Sequence, residues 1–131
     1  MTTFKSFEEI EAWQKARVLS DLVYKEISKS IYDRDKRLRS QMSGSSGSIM
    51  DNIAEGQGRG GNSEFKQFLW ISKGSAAELR SQLYRSLDRE FISQKTFDEL
   101  FEKTNEIEKM IMGLLNYLEK SDFRGTKYKN R

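Results

Sequence analysis

The sequence predicts an all-α protein, an up-down antiparallel four-helix bundle. Apolar residues recur at three- and four-residue steps in four separate segments, which is the period of a helix with one buried face. Proline is absent from all 131 residues, so nothing forces a break inside those segments. The connections between them are short, which makes consecutive helices antiparallel neighbours. No strand-like alternation competes with this pattern.

The first helix is expected to begin near Ser6. Ser6-Phe7-Glu8-Glu9 reads as a capping box, in which the serine hydroxyl takes an orphan N–H and the glutamate reaches back. Ile10, Trp13, Ala16, Leu19, Val23 and Ile27 then form its buried stripe, ending near Ser30. Asp33 or Asp35 can cap the second helix. Leu38, Met42, Ser45, Ile49 and Ile53 keep that helix in phase through Ser43-Gly44-Ser45-Ser46-Gly47-Ser48. By composition alone this run reads as a linker, and two helix-interior glycines cost about 1 kcal/mol each against alanine. The continuous stripe favours helix, with small residues that allow close approach.

The segment Gly56-Gln57-Gly58-Arg59-Gly60-Gly61 is expected to be a loop, with Gly56 at the C-cap. Asn62 or Ser63 can cap the third helix, whose inner face is Phe65, Leu69, Ser72, Ala76, Leu79, Leu83 and Leu87. The fourth helix starts near Ser93 or Thr96. Its Phe97, Leu100, Thr104, Ile107, Ile111, Leu114 and Leu118 make a coiled-coil-like seam. The bundle is thus expected over residues 1–120. Residues 121–131 carry Arg124, Lys127, Lys129 and Arg131 against one aspartate, and are expected to form a basic, flexible tail.

Composition excludes several kinds of chemistry. With no cysteine there is neither a disulfide framework nor a thiolate metal site. With no histidine there is no Glu-x-x-His di-iron site, no His-Glu-x-x-His zinc site and no imidazole base. No apolar run is long enough to cross a bilayer, and the N-terminal residues lack a signal-peptide core. A cytoplasmic protein with no cofactor, no metal and no membrane partner is expected. The net charge of +3, from 23 basic and 20 acidic residues, is a mild excess, so the distribution of charge matters more than the total.

Three sets of residues stand out as candidate sites. Gly56 to Gly61 matches G-x-G-x-x-G literally, but the dinucleotide fingerprint needs a preceding strand, and here a helix precedes it. A helix end and flexible connection is the simpler account; Arg59 and the N-terminus of the third helix holding a phosphate is the other. Glu55 sits in a last helical turn, opposes the helix dipole and therefore calls for a cationic or N–H partner. Asn52 beside it and the mid-helix Glu78, expected to be partly buried and paired, read the same way. The third set is the stripe Lys66, Trp70, Lys73, Ala77, Arg80 and Tyr84, where cations alternate with flat or small residues about 100° round from the core face. Cations beside aromatics suit phosphate contact with base stacking. Trp70 and Tyr84 packed at a helix or subunit boundary is the competing account. Arg34, Lys36, Arg37 and Arg39 form a second basic cluster, of a kind that is usually solvated surface.

Three stretches carry a family resemblance. They are Phe7-Glu8-Glu9-Ile10-Glu11-Ala12-Trp13-Gln14-Lys15-Ala16, Gln41 through Ser48-Ile49-x-x-Asn52-Ile53-Ala54-Glu55-Gly56, and Glu64-Phe65-x-x-Phe68-Leu69-x-Ile71-x-x-Gly74-Ser75-x-x-Glu78-Leu79. Together they resemble the bacterial four-helix-bundle family of 23S rRNA intervening-sequence proteins, over nearly the whole chain apart from the tail. The resemblance implies an up-down bundle, a ring-like homo-oligomer that is commonly a pentamer, and no established enzymatic activity. More distantly, the chain is similar to accessory proteins of diversity-generating retroelements, basic pentameric barrels that bind nucleic acid and a reverse transcriptase. Met42 to Gly47 departs from the family, which is often richer in Arg and Ala there, and Met50-Asp51 stands where a proline-containing step is frequent.

The resulting expectation is a non-enzymatic homo-oligomeric bundle that binds structured RNA or DNA through Arg59, Lys66, Trp70, Lys73, Arg80 and Tyr84. Asn52, Glu55, Gly56, Gly74, Ser75 and Glu78 would be structural. The alternative is a protein-interaction scaffold, such as a partner of a polymerase or reverse transcriptase, with no direct nucleic-acid role.

Overall fold

The computed structural model describes residues 4–129, with side chains through Asp122. Four α-helices account for nearly all of it: α1 Glu11–Ile27, α2 Lys36–Gly58, α3 Asn62–Asp88 and α4 Gln94–Lys129. Two 3-10 turns, Phe7–Glu9 and Ser30–Asp35, precede α1 and α2. Among the described residues there is no strand. The helices run up and down, with α1 on α2, α2 on α3, α3 on α4, and α4 closing back on α1. This is the expected four-helix bundle.

The start of α1 differs from the sequence expectation. Ser6 caps only the 3-10 turn and its side chain makes no cap bond. Glu9 instead accepts the N–H of Lys5 at 2.9 Å. Phe7 packs edge-on against Trp13, with ring centroids 4.9 Å apart, and this contact folds the leading turn back onto α1. The stripe on α1 is otherwise as expected, with Ile10, Ala16, Leu19, Val23 and Ile27 buried and Trp13 half-buried.

α1 ends at Ile27, three residues early, for a reason on another helix. Arg39 reaches back from α2 and donates to the carbonyls of Ile27 at 2.7 Å and Lys29 at 3.0 Å, and to Asp33 Oδ1 at 2.6 Å. A guanidinium that takes the orphan carbonyls of a helix end satisfies both their hydrogen bonds and the dipole. The chain then turns through Tyr32, which is fully buried against Phe91. Asp35 supplies the expected cap of α2, accepting from the N–H of Leu38 at 2.9 Å.

α2 runs unbroken through its serine–glycine stretch and on to Gly58. Gly56 is therefore not a C-cap. It is buried inside the last turns, where a Cβ would stand 2.7 Å from Phe68 Cβ and 3.1 Å from Phe65 Cδ1. Real Cβ atoms do not approach that closely, so glycine lets α2 and α3 touch here. The left-handed residue that turns the chain is Gly60, at φ +87°. Gly61 rather than Asn62 or Ser63 occupies the N-cap of α3. Asn62 is spent elsewhere, donating to Asp122 of α4 at 3.1 Å.

The α2–α3 seam is lined by small hydroxyl residues whose polar groups are paired across it. Ser72 donates to the Ile49 carbonyl at 2.7 Å, Ser75 to Ser48 Oγ at 2.8 Å, and Ser45 to Gln82 Oε1 at 2.5 Å. Buried hydroxyls placed this way avoid the desolvation cost of unpaired polar groups while keeping the helices close. On α4 the seam slips by one residue past Ile111: Leu115 and Leu118 are buried, whereas Leu114 is half-buried. α4 itself continues to Lys129 and so carries into the stretch expected to form a tail. The side chains of Arg124, Lys127 and Lys129, and the whole of Arg131, lie outside the described residues.

Candidate functional site

Of the six residues on the basic–aromatic face, Lys66, Trp70, Lys73, Arg80 and Tyr84 lie along α3, on the side turned toward α4, and Arg59 stands just before that helix. Their surroundings differ from those of a free cationic strip. Lys66 is bound by Asp122 and, at 3.2 Å, by Glu119. The two carboxylates raise the Lys66 pKa, Asp122 most, and Lys66 together with Asn62 holds the Asp122 carboxyl below its ordinary value. Arg80 donates to Glu108 at 3.0 Å. Two of the three helical cations are thus ties between α3 and α4. The third, Lys73, sits 5.9 Å from the centroid of the Trp70 ring. Arg59 pairs with Glu55 at 2.8 Å and lies over the Phe68 ring at 5.1 Å. That pair is the cationic partner Glu55 needs at the end of α2.

The aromatic members of the face are open. Trp70 is 54% and Tyr84 50% exposed, Ile71 is exposed next to Trp70, and Tyr117 is exposed on α4. Tyr84 leans on Phe97 and Phe101, with centroids at 5.1 and 5.3 Å, leaving its other face to solvent. A second exposed apolar area lies on the far side of the bundle. There Val18 and Tyr24 border a groove with Trp13, Leu22 and Met50.

The motif residues Asn52, Ser75 and Glu78 gather along the α2–α3 seam. Asn52 donates to the carbonyl and the hydroxyl of Ser48, each at 2.8 Å, and Ser48 in turn accepts from Ser75. Glu78 is exposed, and among the described residues it forms no ion pair. The expectation of a partly buried, paired Glu78 is corrected: one residue round from Leu79, its side chain leaves the core for a groove on the outside of the seam. That groove, about 380 Å³, is lined by Gln41, Gly44, Ser48, Ser75, Glu78 and Arg85 among others. Gly74 is exposed beside it, with nothing within 4 Å of where a Cβ would be.

Arg39 was the residue the sequence concealed. It lies in a four-residue basic cluster that reads as solvated surface, and only its distance from the α1 end identifies it as a clamp. Arg34, Lys36 and Arg37 form no ion pair among the described residues. Among those residues there is also no grouping of acids placed to hold a metal ion, and no helix long and apolar enough to cross a membrane.

The comparison with curated proteins gives no match. One solved structure, a protein of unknown function from the S23 ribosomal protein family of Bacteroides thetaiotaomicron, has the same fold, with a TM-score of 0.73. Its identity is 20%, over 79% of this chain and 97% of the other. The family model described as 23S rRNA-intervening sequence protein matches residues 8–113, which takes in the whole of α1, α2 and α3 and more than half of α4. The chain belongs to the 23S rRNA-intervening sequence protein family.

Proposed function

We propose that this bundle is a non-enzymatic, homo-oligomeric binding module of the cytoplasm, a scaffold whose exposed apolar side chains are covered by protein surfaces. The observation that carries this reading is the contrast along α3. Lys66 and Arg80 are occupied by carboxylates of α4, while Trp70, Ile71 and Tyr84 remain exposed on the same helix. Engaged cations have little charge left to offer phosphates, whereas exposed aromatics are the side chains that anchor protein interfaces. The resemblance to ring-forming relatives supports self-association, with a pentamer as the family's common form.

A second reading keeps nucleic acid as the ligand. Arg34, Lys36 and Arg37 have no acidic partner among the described residues, and the resemblance to retroelement accessory proteins points the same way. Titration of nuclease-treated protein against labelled structured RNA and duplex DNA across a salt series separates the two. The scaffold reading expects no binding at physiological ionic strength. Tight binding that falls steeply with salt would mean that several phosphates are neutralised, and would move the function to nucleic acid.

A further inference from the structure

Helix-interior glycines lower helix stability by about 1 kcal/mol each against alanine, so each calls for a reason. For Gly56 the reason is inside the molecule, the contact with Phe68. For Gly74 on α3 and Gly113 on α4, as for Gly44 and Gly47 on α2, there is none among the described residues: a Cβ at any of them would meet open space. Gly74 and Gly113 both lie on outward faces. Gly74 shares its face with Glu78 and Arg85, and Gly113 with Lys95, Glu102, Lys109 and Lys120, none of which forms an ion pair among the described residues. At 100° per residue, Gly74, Glu78 and Arg85 fall within about 40° of one another on α3, and so do Glu102, Lys109 and Gly113 on α4. Reading the two helices in opposite directions, the intervals match. Arg85 stands to Glu78 and Gly74 as Glu102 stands to Lys109 and Gly113, with every charge reversed in sign.

We propose, on the self-association reading above, that the outer face of α4 from a second copy of this chain seats in the α2–α3 groove, with Glu102 on Arg85, Lys109 on Glu78 and Gly113 against Gly74. The groove suits a helix. Its floor includes Gly44, Ser48 and Ser75, small residues that let another backbone come close, and Gly44 has nothing within 4 Å of a Cβ position. Arg85 is positioned at the rim by Gln41, which accepts from it at 2.9 Å. The two charge pairs are about 10 Å apart along the axis and fix both direction and register.

The register has a geometric consequence. Within one chain, Arg80 faces Glu108 and Lys66 faces Asp122. The proposed contact pairs α3 with the second copy's α4 within about one residue of that alignment. The second copy is then level with the first and points the same way, so the copies are related by rotation about an axis parallel to the helices. The two surfaces differ, so the contact is heterologous, and with an axial step of no more than about 1.5 Å it favours a closed ring over a filament.

The test is charge reversal in the full chain, read by light scattering across a concentration series, with circular dichroism to confirm folding. Arg85→Glu and Lys109→Glu should each weaken assembly at least tenfold. Glu102→Arg added to Arg85→Glu, and Glu78→Lys added to Lys109→Glu, should each restore it. Lys109 is exposed and has no ion-pair partner among the described residues, so its variant reports on the contact even where Arg85→Glu also perturbs Gln41. Unchanged assembly in folded single variants, or failure of both double variants to recover, would overturn the contact while leaving self-association standing. A wild-type chain that is monomeric throughout would instead overturn self-association, and this contact with it.

Discussion

Arg80 and Glu108 meet at 3.0 Å across the α3–α4 seam, the guanidinium about a third exposed and the carboxylate less. One of the cations expected to contact phosphate is thereby a strut between helices. Removing one partner of a partly buried pair leaves the other desolvated and alone. Arg80→Ala should lower unfolding stability by about 1 kcal/mol, discounted for the exposure of the pair. The Arg80→Ala/Glu108→Ala double variant should cost less than the two singles added together. Chemical denaturation of the four proteins measures the coupling, and a coupling of zero would mean that the contact is not made in solution.

Gly56 and Gly47 lie on the same helix and should respond oppositely to alanine. At Gly56 the new methyl meets Phe68 and Phe65, so helix α2 or α3 must shift, and overpacking of this kind costs about 1–3 kcal/mol. At Gly47 the methyl meets nothing, and the helix should gain up to about 1 kcal/mol. Thermal melts of the two variants give the signs directly. A stabilised Gly56→Ala would contradict the close approach of α2 and α3.

Arg39 closes α1 with three hydrogen bonds, one of which, to Asp33, is also an ion pair. Arg39→Met keeps the aliphatic stem but frees the carbonyl of Ile27, leaves that of Lys29 with only the Tyr32 N–H, and should cost about 1–3 kcal/mol. Lysine cannot reproduce the planar fork, so Arg39→Lys should recover only part of the loss. Hydrogen exchange should place the extra opening at the end of α1 and in the 3-10 turn after it. Uniform protection there would rule out the clamp.

Tyr32 is fully buried, and among the described residues neither its hydroxyl, which lies near Ser86 and Glu26, nor Glu26 Oε2 forms a hydrogen bond of ordinary geometry. Burial pushes the phenol up to about 12, against an ordinary 10. The folded state therefore holds the proton more tightly than the unfolded chain does. That contribution is complete below pH 10 and is lost as pH rises from 10 toward 12, amounting to about 3 kcal/mol. Tyr32→Phe removes the titration and a buried orphan hydroxyl while keeping the ring against Phe91. Its stability near neutral pH should be equal or higher, and its alkaline decline shallower. Identical alkaline profiles for the two proteins would contradict the assignment.

The residues that built the fold were legible because their signal is local and periodic. Ile10 to Ile27, Phe65 to Leu83 and Phe97 to Ile111 fall in phase with a helix, and the stripe of α2 held its phase through six serines and glycines. The cap at Asp35 was legible for the same reason, its partner being three residues away. What failed depended on distant partners. Gly56 reads as a helix end in one dimension, and only Phe68 across the seam makes it a contact point. Lys66 and Arg80 read as a basic strip until α4 brings Glu119, Asp122 and Glu108 against them. The seam slip from Leu114 to Leu115 reflects the mismatch between a seven-residue repeat and a straight helix over a 36-residue element. The family was legible from its motifs, and three of the residues in them, Asn52, Ser48 and Ser75, form a single hydrogen-bonded chain across α2 and α3.

Light scattering on the nuclease-treated full chain tests the central claim of a self-associating scaffold most directly. A mass several times 15.3 kDa, unchanged by nuclease and stable on dilution, is the predicted result. A mass of 15.3 kDa at every concentration would contradict it.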